Sequence, residues 1–233
     1  MRCLVTTNYE ITSSKQSRIP ILRIEPKGVG PLVVIVPSIF GIGSDVVEYA
    51  KIFSQAGSCV YVMDSFWRES PGPLPIPNGS SRAMKRMHQV DPENVIGDLM
   101  CAIEHGRKES FCNGSVILLG ICFGGKFVVK VTAQTKIQGL ATWHGGDLLS
   151  VLHSSDLKKV HIEMDFGETD PLIPLSDVQK IRDSLQYVQN IHIRTHANSG
   201  HGFTHRDTVK YNKKASQHAT KGVLDLIDTF QTA

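Results

Sequence analysis

The clearest structural signal in the sequence is Leu118-Leu119-Gly120-Ile121-Cys122-Phe123-Gly124-Gly125. An apolar run from Ser115 precedes it and residues at helical spacing from Lys126 follow it, so we predict a strand, a sharp turn and a helix. A cysteine with glycine two residues before and two residues after it has the pattern of a nucleophile elbow, a strained turn that leaves room only for small neighbours. Most cysteines are small buried apolar residues, but this context makes Cys122 the candidate nucleophile.

Around this stretch, short β-branched apolar runs alternate with longer segments at helical spacing. This alternation predicts an α/β fold with a mostly parallel central sheet and helices on both faces. The predicted strands are 8–12, 19–24, 32–36, 59–63, 115–120, 139–143, 160–166 and 191–196. The predicted helices start at Ser44 or Asp45 and run to residue 55, and then cover 81–87, 91–108, 126–134, 148–152, 176–187 and 211–230. We expect the first two strands to pair antiparallel at an edge of the sheet, because Pro20 interrupts the second one.

Composition narrows the class of protein. The chain has 233 residues, 41% of them hydrophobic and 20% charged, and no linker-like segment divides it, so we expect a single domain over residues 1–233. No apolar run is long enough for a membrane span or a signal peptide, which predicts a cytoplasmic protein with no membrane partner. The net charge of +3 and the lack of long Lys/Arg runs argue against nucleic-acid binding.

The cysteines do not form a recognisable framework. There are five of them, and they stand singly at Cys3, Cys59, Cys101, Cys112 and Cys122. An odd number without any CxxC pair argues against a disulfide scaffold and against a structural zinc site. At least one thiol should therefore be free.

An elbow nucleophile needs an acid and a base after it in the chain, in that order. Asp170 follows the predicted strand 160–166, at the end of a parallel strand where catalytic groups collect, and Glu168 is the rival acid. His201 stands between two glycines after the last predicted strand, where a flexible backbone can present an imidazole. The predicted triad is Cys122, His201 and Asp170.

Together these residues resemble the dienelactone hydrolase family. The motifs that carry the resemblance are Ile39-Phe40-Gly41, Gly120-Ile121-Cys122-Phe123-Gly124-Gly125, Trp143-His144-Gly145, Gly167-Glu168-Thr169-Asp170-Pro171 and Gly200-His201-Gly202-Phe203. The resemblance implies a compact α/β-hydrolase fold and a cysteine that attacks a small-molecule lactone or ester, with no metal and no cofactor. It also implies an oxyanion hole made by the backbone N–H groups of Phe123 and Ile39. We expect a monomer or a homodimer.

The sequence departs from the family where a glutamate normally precedes Ile-Phe-Gly. Ser38 occupies that position. A hydroxyl is a far weaker base than a carboxylate and cannot take up the thiol proton at neutral pH. We therefore expect Cys122 to be activated by His201, as a thiolate–imidazolium pair.

The family's carboxylate-binding arginines have only approximate counterparts. Arg82 or Arg86 would supply the first and Arg206 the second, but His205 stands at the offset from His201 where an arginine is expected. For Arg82, Lys85 and Arg86 a solvated helix face is favoured over a site that binds an anion.

Several neutral residues are further candidates for contact with the substrate. They are Ser38, Trp67, Trp143, His144 and Phe203. For one of them, His144, a structural hydrogen bond to a neighbouring loop is an equally good interpretation.

Two other functions remain open. Loss of the glutamate could leave a non-catalytic descendant that binds a ligand, or Cys122 could act as a redox or conjugation site. The hydrolase is favoured, because a chain released from catalysis has no physical reason to keep all three triad residues with their glycines.

Overall fold

The computed structural model describes residues 6–12, 18–152 and 157–231, and Cys3 and His153 lie outside them. The described residues form one eight-stranded sheet with the order β1-β2-β4-β3-β5-β6-β7-β8. The strands are β1 Thr6–Thr12, β2 Arg18–Ile24, β3 Gly30–Val36, β4 Cys59–Met63, β5 Cys112–Ile121, β6 Gly139–Trp143, β7 His161–Gly167 and β8 Ile191–His196. β2 pairs antiparallel with β1 and with β4, and all other neighbours are parallel. The predicted mostly parallel sheet with an antiparallel edge is confirmed.

Helices cover both faces of this sheet, as predicted. They are α1 Ser44–Gln55, α2 Ser80–Gln89, α3 Pro92–Gly106, α4 Gly124–Lys130, α5 Leu175–Ser184 and α6 Lys213–Phe230. Alternate residues of the fully buried strand β3 point to opposite faces: Val33 and Ile35 belong to the same apolar cluster as residues of α1 and α6, whereas Leu32 and Val34 belong to the cluster that contains residues of α3 and α4.

Some predicted boundaries were wrong. The N-cap of α1 is Gly43, without a side-chain hydrogen bond, rather than Ser44 or Asp45. The segment predicted as a helix over 126–134 begins two residues earlier and ends as a separate 3₁₀ turn at Val131–Ala133, and the helix predicted over 148–152 is only a 3₁₀ turn at Leu148–Ser150. Asp91 does cap α3, because its carboxylate accepts from the N–H of Glu93.

The topology gathers the loops that follow β3, β5, β6, β7 and β8 at one edge of the sheet, because parallel strands end on the same side. The four described cysteines are free thiols. None of the helices in the described ranges is long and apolar enough to cross a bilayer.

Candidate active site

The turn after β5 is as tight as the glycine pattern predicts. Cys122 has a φ of 53°, in the left-handed region that non-glycine residues rarely adopt. A Cβ on Gly124 would lie 2.0 Å from the carbonyl oxygen of Val36, and one on Gly120 would lie 2.6 Å from the Cα of Gly125. Only glycine fits at either position, so strand and helix can approach closely and hold the half-buried thiol at the turn.

The three residues of the predicted triad lie in line. His201 Nε2 is 3.0 Å from Cys122 Sγ, and His201 Nδ1 is 2.8 Å from Asp170 Oδ2. The other oxygen of Asp170 accepts from the backbone N–H groups of Leu172 and Ile173 at 2.8 and 3.2 Å. Both carboxylate oxygens are therefore fixed, and the imidazole is held between carboxylate and sulfur.

Asp170, and not its rival Glu168, contacts the imidazole. Asp170 is 4% exposed, whereas Glu168 is exposed and accepts only a long 3.4 Å bond from the N–H of Asn198. Burial alone would lower the pKa of His201, but the hydrogen bonds to Asp170 and to Cys122 outweigh it and raise the pKa from 6.5 to about 10. The environment therefore favours an imidazolium beside the sulfur.

The two backbone N–H groups of the predicted oxyanion hole are not used by the part of the fold that the structure describes. Within the described residues no hydrogen bond engages the N–H of Ile39 or that of Phe123. Ser38 shapes the turn beside them, because its carbonyl accepts from Gly41 at 3.0 Å and its hydroxyl accepts from Phe40 at 3.3 Å. Ser38 is 1% exposed, and the described part of the chain shows no hydrogen bond from it to Cys122.

Arg86, a candidate for binding a substrate carboxylate, is committed to the backbone. Although it stands on α2, it is only 1% exposed. Its Nε and Nη2 donate to the carbonyl of Ile39 at 2.9 and 2.7 Å, and its Nη1 donates to the carbonyls of Ser70 and Gly72 at 2.9 and 2.8 Å. Arg86 thus ties the loop after β4 to the loop after β3, which carries the Ile39 N–H.

The other cationic candidates also have partners. Arg82 is exposed and lies 3.3 Å from the hydroxyl of Ser70, and the guanidinium of Arg206 stacks 4.6 Å from the ring centre of Tyr49. His205 binds Asp45 through Nδ1 at 2.7 Å.

His205 and Asp45 also line a cavity of about 430 Å³. Its walls come from residues 43–45 and 73–76 and from His205, Asp207 and Thr208, and they contain two carboxylates but no lysine or arginine. No guanidinium of the predicted set is therefore presented to this cavity.

The aromatic candidates are mostly core residues. Trp143 is fully buried and packs edge-on against Tyr49 with ring centres 4.7 Å apart, and Phe203 is likewise fully buried. Trp67 is half-buried and donates from Nε1 to Asp98 at 2.9 Å. The expectation that Trp143 and Phe203 contact a ligand is therefore not met, because neither exposes any surface.

His144 has an unusual environment. It follows β6 with a φ of 38°, is fully buried, and lies edge-on to His201 with ring centres 4.9 Å apart. Its Nε2 is 2.9 Å from the hydroxyl of Thr204, while its Nδ1 has no hydrogen-bond partner in any other described residue. Burial, and after it the neighbouring His201 and His205, holds the pKa of His144 well below 6.5, so the ring stays neutral.

Sequence reasoning missed three contributions to this region. The sequence predicts Asp45 only as one of two possible helix caps, yet its carboxylate binds His205. Thr204 and the backbone contacts of Arg86 carried no local signal, because they depend on which loops the fold brings together.

Comparison with known proteins agrees with this architecture. The model of the family described as the dienelactone hydrolase family matches residues 19–231. Over 209 residues the chain is 23% identical to a carboxymethylenebutenolidase of Pseudomonas sp. (strain P51), which covers 88% of this chain and 87% of that protein.

Solved structures share the fold at lower sequence identity. A Klebsiella pneumoniae protein assigned as a dienelactone hydrolase superposes with a TM-score of 0.85 at 16% identity, covering 98% of this chain and 100% of that one. A dienelactone hydrolase from Anabaena variabilis gives a TM-score of 0.70 at 13% identity, covering 98% and 99%. The predicted α/β-hydrolase fold is confirmed.

Proposed function

Since this chain belongs to the dienelactone hydrolase family and is a hydrolase of ester bonds, we propose that it cleaves a lactone or small carboxylic ester with Cys122 as the nucleophile. The observation that carries the proposal is the alignment of Cys122 Sγ, His201 and Asp170 through contacts of 3.0 and 2.8 Å. A thiolate beside an imidazolium is the reactive form of a cysteine nucleophile.

In the first half of the reaction, the Cys122 thiolate attacks the carbonyl carbon and the carbonyl π electrons move to oxygen. The N–H groups of Ile39 and Phe123 would stabilise that oxyanion, and each such donor is typically worth about 3 kcal/mol. When the tetrahedral intermediate collapses, the C–O bond breaks and His201 Nε2 gives its proton to the leaving alkoxide. A thioester on Cys122 and a neutral His201 remain.

In the second half, His201 Nε2 takes a proton from a water molecule that attacks the thioester carbonyl. Collapse of this intermediate breaks the C–S bond and releases the acid, and the proton on His201 restores the resting pair. Asp170 keeps the proton on Nδ1 throughout, because its Oδ2 accepts from that nitrogen. This cycle needs no carboxylate at position 38, which is consistent with Ser38 there.

The contacts of the predicted arginines and the carboxylates in the cavity beside His205 support a neutral substrate. Arg86 and Arg206 are engaged within the fold, and the cavity beside His205 carries the carboxylates of Asp45 and Asp207. A substrate carboxylate in that cavity would meet like charges, which destabilises binding. We propose that the ester or lactone lacks a free carboxylate.

The experiment is a burst assay with neutral p-nitrophenyl esters of increasing chain length. The wild-type protein should release one equivalent of nitrophenol rapidly, and Cys122→Ala should lose the burst and at least about 10³-fold of the steady rate. Cys101→Ala, a half-buried thiol on α3, is the matched control and should keep both.

Two results would contradict the proposal. Activity that persists in Cys122→Ala would show that Cys122 is not the nucleophile. Inactivity of the wild-type protein on all of the esters would favour a binding role for the chain. Faster turnover of a carboxylate-bearing dienelactone than of its methyl ester would overturn the neutral-substrate assignment.

A further inference from the structure

We propose that Cys122, His201 and His144 form a binding site for a zinc ion, and that the ion reversibly blocks the nucleophile. One ligand atom from each of these three residues lies within 4.8 Å of those of the other two. Thiolate and imidazole are the ligands that zinc prefers, and three protein ligands leave a fourth position for water.

The unpartnered nitrogen of His144 is the observation that points to an ion. The ring is fully buried, and its Nδ1 finds no hydrogen-bond partner in any other residue of the described ranges, although buried polar atoms are normally paired. Nε2 is occupied by the hydroxyl of Thr204, which leaves Nδ1 as the atom free to bind a metal. A neutral imidazole in this position is a ready ligand.

Both histidines have the outer contacts that metal-binding histidines usually have. Asp170 holds Nδ1 of His201 at 2.8 Å, and Thr204 holds Nε2 of His144 at 2.9 Å. Such second contacts fix ring orientation and tautomer, and their loss usually weakens metal binding by about 10- to 100-fold. The contacts that orient His201 for catalysis therefore also suit it to bind zinc.

The spacing fits zinc after small movements. Zinc binds sulfur at about 2.3 Å and nitrogen at about 2.1 Å, so tetrahedral ligand atoms stand roughly 3.5 Å apart. The contact between Cys122 and His201 is 3.0 Å and must open slightly, whereas the wider separations must close by roughly 1 Å. On binding, bonds form from the metal to Sγ, to His201 Nε2 and to His144 Nδ1, and the Nε2 proton passes to solvent.

The test uses the purified full-length protein and Co²⁺, a spectroscopic substitute for zinc. One equivalent of Co²⁺ should produce a thiolate-to-cobalt charge-transfer band, which Zn²⁺ abolishes by competition. Cys122→Ser should lose the band, and His144→Gln should weaken binding of both ions at least tenfold. His88→Gln, which changes an exposed histidine on α2, is the matched control and should bind as the wild type does.

A second variant tests the site without replacing the buried ring of His144, since that replacement could prevent folding. Thr204→Val keeps His144 but removes its Nε2 contact, and should weaken zinc binding about 10- to 100-fold while circular dichroism stays unchanged. Absence of the charge-transfer band in the wild-type protein would overturn the site. Binding that is equally tight in His144→Gln and Thr204→Val would overturn the role of His144.

Inhibition is measured separately and rests on the proposed function. Zinc should abolish the nitrophenol burst and a chelator should restore it. A protein that binds cobalt through Cys122 but hydrolyses no ester would retain the metal site and refute the esterase. A protein that hydrolyses esters but gives no cobalt band would retain the proposed function and refute the metal site.

Discussion

Replacing Asp170 with asparagine tests the central contact of the site. The side chain keeps its shape, and its oxygen can still accept from Leu172 and Ile173, as Asp170 Oδ1 does. The amide group then faces Nδ1 of His201 in place of a carboxylate oxygen that lies 2.8 Å away. Asp170→Asn therefore removes the negative charge and places the amide N–H of the new side chain against the N–H of His201 Nδ1, so that two donors face each other, with little change in packing.

The pKa of His201 sets the scale of the effect. It is raised from 6.5 to about 10, which corresponds to roughly 5 kcal/mol in favour of the imidazolium at about 1.4 kcal/mol for each tenfold change. If Asp170 supplies about half of this, its loss costs roughly 2 to 3 kcal/mol, or about 10²-fold. Loss of tautomer control costs up to about 10⁴-fold in serine hydrolases with the same third residue. We expect kcat/KM of Asp170→Asn to be lower than that of the wild type by a factor between about 10² and about 10⁴.

The assay combines steady-state hydrolysis with alkylation of Cys122 by iodoacetamide. Without Asp170 the pKa of His201 falls toward 6.5, so the alkaline decline in acylation rate should move from pH about 10 toward neutrality. Alkylation at pH 7 should also slow. Glu168→Gln is the matched control, because Glu168 is exposed and does not touch the imidazole. Rates for Asp170→Asn within threefold of the wild type, or an equal loss in Glu168→Gln, would refute this reasoning.

Three further predictions concern the scaffold. Arg86→Ala leaves three partly buried carbonyls without their donor and should lower the free energy of unfolding by about 3 to 5 kcal/mol in urea titrations, whereas Arg82→Ala should change it by less than about 0.5 kcal/mol. Gly124→Ala places a Cβ 2.0 Å from a backbone oxygen and should abolish soluble expression, but Gly97→Ala, with open space on α3, should raise the melting temperature through a gain of up to about 1 kcal/mol. Cys59 should resist iodoacetamide at pH 8 in peptide mapping, because burial raises the pKa of its thiol to about 12, and rapid labelling there would contradict its packing.

Local sequence patterns were sufficient for the sheet and the elbow. The strands 59–63, 139–143 and 191–196 were predicted to the residue, since each is a β-branched or apolar run bounded by turn signals. The glycines at 120 and 124 predicted the turn because steric exclusion acts between near neighbours in the chain.

Side-chain environments could not be predicted in the same way. Arg86 has the pattern of an exposed residue on an amphipathic helix, and only the folded chain brings it to carbonyls 14 to 47 residues away. Trp143 is the last residue of the core strand β6, and its burial depends on Tyr49 from α1. The unpartnered Nδ1 of His144 likewise results from tertiary packing, which no local pattern encodes.

The order of the strands has a consequence for how such a protein can diversify. The triad stands on the loops after β5, β7 and β8, in one half of the sheet. The loops after β3 and β4, in the other half, supply residues 43–45 and 73–76 of the cavity wall, and the loop after β8 supplies the rest. Exchanging residues 64–79 for the equivalent segment of a relative would alter this part of the cavity wall and leave the triad in place, provided that Arg86 is kept to hold the segment through the carbonyls at positions 70 and 72. One part of the cavity wall can thus be exchanged without moving the loops that carry the triad.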